Sequence, residues 1–176
     1  QTQFRGFVGR DVTITTSSIN LMGLAAASPP LGILATGKID IQNSVNFIGN
    51  STSADAFQLG AIGGINIAPG SILAAVDLGD FSLDSVASLS FNNVSFQSVG
   101  ITNVVAHGVH FGVTGNLSLS GGTVSGQTIR LEASDINING TSFGLTGGAI
   151  VPHFVNIFAD NDITNQAVEA LLDPAR

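Results

Sequence analysis

Apolar and small polar residues alternate in twos along most of this chain, in runs of only three to six residues. Val12-Thr13-Ile14, Ile39-Asp40-Ile41, Ile65-Asn66-Ile67, Leu117-Ser118-Leu119 and Ile136-Asn137-Ile138 share one pattern. Val45-Asn46-Phe47, Phe81-Ser82-Leu83, Leu89-Ser90-Phe91, Val94-Ser95-Phe96 and Ile129-Arg130-Leu131 repeat it. Successive side chains of an extended chain point to opposite sides, so each run gathers its apolar residues on one face and its polar ones on the other. Gly, Asn, Ser and Asp bound the runs, and these are the residues that turns require. The pattern predicts an all-β chain of many short strands.

A coarser recurrence lies over this one. Strand starts near Val12, Lys38, Ile65, Phe81, Ile101 and Thr123 fall 16 to 27 residues apart. Gly pairs occur at Gly63-Gly64, Gly121-Gly122 and Gly147-Gly148, and the segment from Ile65 to Ser71 resembles that from Ile136 to Ser142. Steps of about 20 residues or more suit the coils of a stacked architecture. The expected fold is a short parallel β-solenoid (β-helix) over a single domain, residues 1–176. A β-sandwich or jelly roll is the alternative, because both also string short strands between turns. Two segments depart from the alternation. Leu21 to Ala27, ending at Ser28-Pro29-Pro30, reads as a loop or a helical turn stopped by proline. Thr164 is placed to cap a short C-terminal helix over 164–172, with Val168, Leu171 and Leu172 on one side and Asp173-Pro174 after it.

Composition removes several kinds of chemistry. The chain has no Cys, which excludes disulfide scaffolds, thiolate metal sites and Cys nucleophiles. A formal charge of −7, with five basic residues at Arg5, Arg10, Lys38, Arg130 and Arg176, leaves no basic patch for nucleic acid and disfavours an anionic membrane. No apolar run reaches the roughly 18 residues of a transmembrane segment. The start at Gln1 rather than Met is what removal of a secretory signal would leave, so an extracellular or cell-surface location is expected.

Candidate sites are few. His107 and His110 are three apart, and on a strand such residues face opposite sides, so they do not converge on one ion. His153 has no sequence neighbour to pair with. Asp77, Asp80 and Asp84 form one oxygen-rich group, and Asp160 with Asp162 forms a second. Of these, Asp160 and Asp162 are the candidate calcium ligands, calcium being the only cofactor considered; neither group has the twelve-residue loop ending in Glu. Glu132 and Asp135, three apart, are poorly disposed for paired acid and base work. No Gly-x-Ser-x-Gly elbow or phosphate loop is present, and Thr13-Ile14-Thr15 does not recur as an ice-binding array would require. No catalytic residue is therefore assigned, and the chain is read as non-enzymatic. Asn50, Asn93, Asn116 and Asn139 head Asn-x-Ser/Thr sequons, which matter only where a secreted protein is glycosylated.

The runs Gly115-Asn116-Leu117-Ser118-Leu119-Ser120-Gly121-Gly122 and Ile136-Asn137-Ile138-Asn139-Gly140 resemble those of bacterial secreted exoproteins of the filamentous-haemagglutinin-like adhesin type. The resemblance covers Lys38 to Gly148. It implies export, surface display and a scaffold or adhesive role, with no catalytic residues to carry over.

Together these readings predict a structural subunit of an extracellular fibre, sheath or matrix that self-assembles as a homopolymer through β-strand edges. The N-terminal residues Phe4, Phe7, Val8, Val12 and Ile14, within 1–20, are the expected assembly residues, either as a donated strand or as an ordinary first strand. The competing expectation is a surface adhesin that binds host or matrix glycans or proteins.

Overall fold

The computed structural model describes residues 6–15, 18–20, 31–43, 46–51, 55–77, 80–100, 108–145 and 154–165. Every strand pairing in them is parallel, each pairing joins strands three places apart in the chain, and no helix occurs among them. The chain is a parallel β-solenoid with three faces. Its first turn contributes β1 (Gly6–Gly9), β2 (Val12–Ile14) and β3 (Ser18–Asn20), one to each face, and the next contributes β4 (Leu31–Ala35), β5 (Ile39–Ile41) and β6 (Asn46–Ser51). There follow β7 (Asp55–Ala61), β8 (Ile65–Ile67), β9 (Ile72–Asp77), β10 (Asp80–Ser85), β11 (Leu89–Asn92) and β12 (Ser95–Gly100). The last turns hold β13 (Gly108–Val113), β14 (Leu117–Ser120), β15 (Thr123–Gly126), β16 (Thr128–Ala133), β17 (Ile136–Asn139), β18 (Ser142–Leu145), β19 (Phe154–Ala159) and β20 (Ile163–Asn165).

The first face is one seven-stranded sheet, β1-β4-β7-β10-β13-β16-β19, and the third is a six-stranded sheet from β3 to β18. The second face is split into β2-β5-β8 and β11-β14-β17-β20. Register aligns like with like, so the alternation of each run becomes a column through the stack. Phe7, Ile33, Leu59, Leu83, Phe111, Leu131 and Ile157 succeed one another on the first face. The members of this column from Ile33 to Leu131 are completely buried. Five phenylalanines fill the middle of the interior: Phe81 lies 5.1 Å from Phe57, 5.5 Å from Phe96 and 6.2 Å from Phe111, while Phe91 lies 5.1 Å from Phe96. The mostly edge-to-face geometry puts positive ring edges against negative ring faces.

Corners are built differently. At the first corner, a side-chain oxygen caps the backbone one turn on: Lys38 N donates to Asp11 Oδ1 (2.9 Å), Asn116 N to Ser88 Oγ (3.0 Å) and Asp162 N to Asp135 Oδ1 (3.3 Å). At the second corner, Gly70, Asn93, Gly121 and Gly140 stack, each with positive φ, so four successive turns bend through a left-handed residue. Beside them Ser71 and Thr141 are buried, and their hydroxyls donate to the carbonyls of Ala68 and Gly121. The third corner varies in length: one residue, Gln127, separates β15 from β16, whereas β12 ends at Gly100 and β13 begins at Gly108.

One sequence expectation changes. Thr164, expected to cap a helix, is the middle residue of β20 and pairs with Asn137, because Ile163-Thr164-Asn165 continues the column of Ile136-Asn137-Ile138. Residues 166–172 of that expected helix, and Leu21 to Pro30, lie outside the described residues.

Candidate functional site

The structure disperses most of the polar groups singled out by sequence. Asp77 ends β9 on the third face, whereas Asp80 and Asp84 lie on β10 of the first, so that acidic group divides between two faces. Asp80 Oδ1 accepts the backbone N–H of Gly108 at 2.6 Å. Its Oδ2 is 3.9 Å from Nε2 of His110, which points outward from β13 and folds over Gly108. That Nε2 is shut away from solvent without a hydrogen-bond partner. His107 and His153 lie outside the described residues. Glu132 projects from β16 and is ion-paired with Arg130 on the same strand, while Asp135 sits past the strand end, at the first corner. Arg130 also lies over the Phe158 ring, 5.5 Å from its centroid.

Asp160 and Asp162 are both exposed at the first corner of the last turn. Among the described residues, no three His, Asp or Glu groups are placed to hold a metal ion together. On the second face Asp40 is a carboxylate held by two side-chain hydrogen bonds. Gln42 Nε2 and Asn66 Nδ2 each donate to it at 2.7 Å. Those two hydrogen bonds, with help from the charge of Lys38, hold its carboxyl below the ordinary 3.8 against a small opposing effect of burial. Three of the sequon asparagines, Asn93, Asn116 and Asn139, are exposed at corners or strand ends.

The exposed apolar residues are more organised than the polar ones. On the first face an open groove of about 460 Å³ runs from Val8 past Leu34, Ile62 and Val86 toward Thr114. Its floor is shallow in side chains because Leu34 leans over Gly60 and Asp84 leans over Gly112; a Cβ on either glycine would come within 2.9 Å of the overlying side chain. In the last described turn, Phe154, Phe158 and Ile163 are exposed. Ile163 is the informative one. It belongs to the column of Leu89, Leu117 and Ile136, which are at most 3% exposed, yet it is 50% exposed itself. Val155, Ile157 and Ala159 of β19 are likewise only partly buried against the core. Interior positions are thus partly uncovered in the last described turn.

Of the expected assembly residues, Val12 and Ile14 are buried in the chain's own first turn, and β1, which carries Phe7 and Val8, pairs with β4. Val8 points outward and is 84% exposed. Phe4 lies outside the described residues. The C-terminal residues Phe158 and Ile163 were not singled out by sequence reasoning. A signal was present, since Asp162-Ile163-Thr164 repeats Asp135-Ile136-Asn137 one turn earlier. No family model matches the chain, and neither does any curated protein or solved structure.

Proposed function

We propose that this chain is a non-enzymatic structural subunit of an extracellular fibre, sheath or matrix, and that it assembles with itself through the edges of its sheets. The observation that carries this reading is the half-exposed Ile163 in an otherwise buried column. Among the described residues, β19 pairs only with β16 and β1 only with β4, so each is an outer strand of the described seven-stranded sheet. Such edges template the addition of further strands. A head-to-tail contact whose rotation does not close a ring generates a filament. The stylistic likeness to filamentous-haemagglutinin-like exoproteins agrees with export and display.

The dispersal of Glu132, Asp135, Asp77 and Asp84 argues for a scaffold rather than for acid and base work. The test is concentration-dependent sedimentation together with negative-stain microscopy of the pure chain. Filaments about as wide as one solenoid support the reading; a monomer at every concentration refutes it.

The runner-up is a surface adhesin, and the groove beside Val8 and Leu34 is the observation that favours it. Its apolar lining suits a protein segment better than a glycan. A monomer that bound peptide segments and lost them on Leu34→Asp would establish that reading instead.

A further inference from the structure

We infer that the first-face groove seats an amphipathic α-helix of another protein, one that lays a ridge of apolar side chains along the stack and presents a Lys or Arg to Asp84. The inference is independent of self-assembly, and it names the partner chemistry for the groove that favours the runner-up reading. The strands that carry the groove, β4, β7, β10 and β13, each pair with a described strand on both sides, so it lies in the body of the stack.

Register builds the groove as a trough with two walls. Along one wall Leu34, Gly60, Asp84 and Gly112 succeed one another as outward residues of successive turns. The two glycines contribute no side chain, and Leu34 and Asp84 lean across the gaps. Along the other wall Thr36, Ile62, Val86 and Thr114 turn the first corner, and all are exposed. Between them Ala35, Ala61 and Ser85, each buried, make a floor of small residues. The walls stand two residues apart along the strands, about 7 Å, which admits one row of side chains but not a whole helix of about 10 Å.

Spacing decides which kind of chain fits. The trough offers one seat per turn of the stack, at steps of about 4.8 Å. Side chains on one face of a helix recur about every 5.4 Å, whereas those on one side of an extended chain recur about every 6.6 Å. Over the three steps from the turn of Leu34 to that of Thr114, a helix drifts by about 2 Å and an extended chain by about 5 Å. Anchors at i, i+4 and i+7 of a helix therefore stay seated. Leu34, Ile62 and Val86, which are 40%, 58% and 56% exposed, supply the apolar surface that such a ridge covers.

Charge narrows the partner further. Asp84 is exposed and is the ionisable side chain among the described lining residues, in a chain whose formal charge is −7. A cationic helix is drawn to such a surface and an acidic one is repelled. Among the described residues the chain offers no helix of its own to fill the trough.

The test uses the whole chain and a fluorescent synthetic peptide of about 15 residues, with Leu at i, i+4, i+7 and i+11 and Lys on its flanks. Fluorescence anisotropy should show binding. Ile62→Asp and Val86→Asp, both at exposed corner residues, should each weaken it by about 10-fold or more without lowering the melting temperature. Asp84→Asn should weaken it by about 2- to 5-fold, and should leave unchanged the binding of a peptide with Gln in place of Lys.

No binding up to about 1 mM, equal binding of a scrambled peptide, or binding that survives both Asp substitutions would overturn the inference. An alternating Leu-Lys peptide that bound in extended form more tightly than the helix would refute it while leaving the runner-up standing. Oligomers of the pure chain that dissociate on Ile62→Asp would put a second copy in the trough, and phosphatidylcholine vesicles held through the same residue would put a bilayer there. Either result sinks the helical partner.

Discussion

Gly122 lies directly against the carbonyl of Val94, so closely that a Cβ would overlap the oxygen, and its φ is +68°. Gly140, at the same corner one turn later, has a nearly identical φ of +66° but open space where its Cβ would stand. The pair separates two penalties. Gly140→Ala should cost about 1–2 kcal/mol, the conformational strain alone. Gly122→Ala adds a backbone clash and should cost about 3 kcal/mol or more. Urea denaturation of the two variants measures both, and equal losses would show that the clash relaxes away.

Phe81 is the hub of the interior ring cluster. Phe81→Ala removes its contacts with Phe57, Phe96 and Phe111 and should destabilise the fold by about 3–5 kcal/mol. Phe81→Leu retains most of the volume and should cost about half as much or less. Both are read from denaturation midpoints at constant m-value, and a loss under about 1 kcal/mol for the Ala variant would mean that the rings do not support one another.

Asp11 holds the second turn to the first by accepting the N–H of Lys38. Asp11→Ala strands that donor, partly exposed to water, and should cost about 1 kcal/mol. Asp11→Asn keeps an oxygen in the same place and should cost less. Amide exchange at Lys38 reports the loss locally, and it should quicken in the Ala variant only.

Asp40 makes one part of stability depend on pH. Its carboxyl is held below the ordinary 3.8 when folded, because Gln42 and Asn66 donate to the charged form. A group depressed in this way stabilises the fold above its unfolded value, and the contribution is lost as pH falls from there through the lower folded value. The native protein should therefore exceed Asp40→Asn in melting temperature at neutral pH, with the gap closing under acid. A gap that persisted in strong acid would place its origin elsewhere.

How much of this was legible beforehand can be judged residue by residue. The alternation in Ile65-Asn66-Ile67 and Ile136-Asn137-Ile138 reports burial directly, because each isoleucine faces the interior and each asparagine faces water. The likeness of the segments that follow is structural too: Gly70 and Gly140 turn the same corner, and Ser71 and Thr141 both bury a hydroxyl. Coil length looked uneven both because the strand starts belonged to different faces and because it varies on one face, Leu89, Leu117, Ile136 and Ile163 lying 28, 19 and 27 residues apart. Val12, Ile39 and Ile65 all open the second face and are 27 and 26 residues apart, whereas Phe81 lies on the first face and Thr123 on the third.

The candidate site was harder to see, for a physical reason. Alternation tells which side of a strand is apolar, but whether an inward residue is covered depends on what stacks upon it. Ile163 and Ile136 are alike in sequence and differ in burial; among the described residues only Ile136 has a strand stacked beyond it. The association of Asp80 with His110 is similarly invisible, since it joins strands through a register that no local spacing encodes.

The uneven third corner has a consequence for engineering. Between β12 and β13 the chain takes seven residues, and between β15 and β16 it takes one, yet the ladders on either side stay in register. Because backbone pairing within each face does the aligning, a foreign peptide grafted between Gly100 and Gly108 should be carried as cargo on an undisturbed frame.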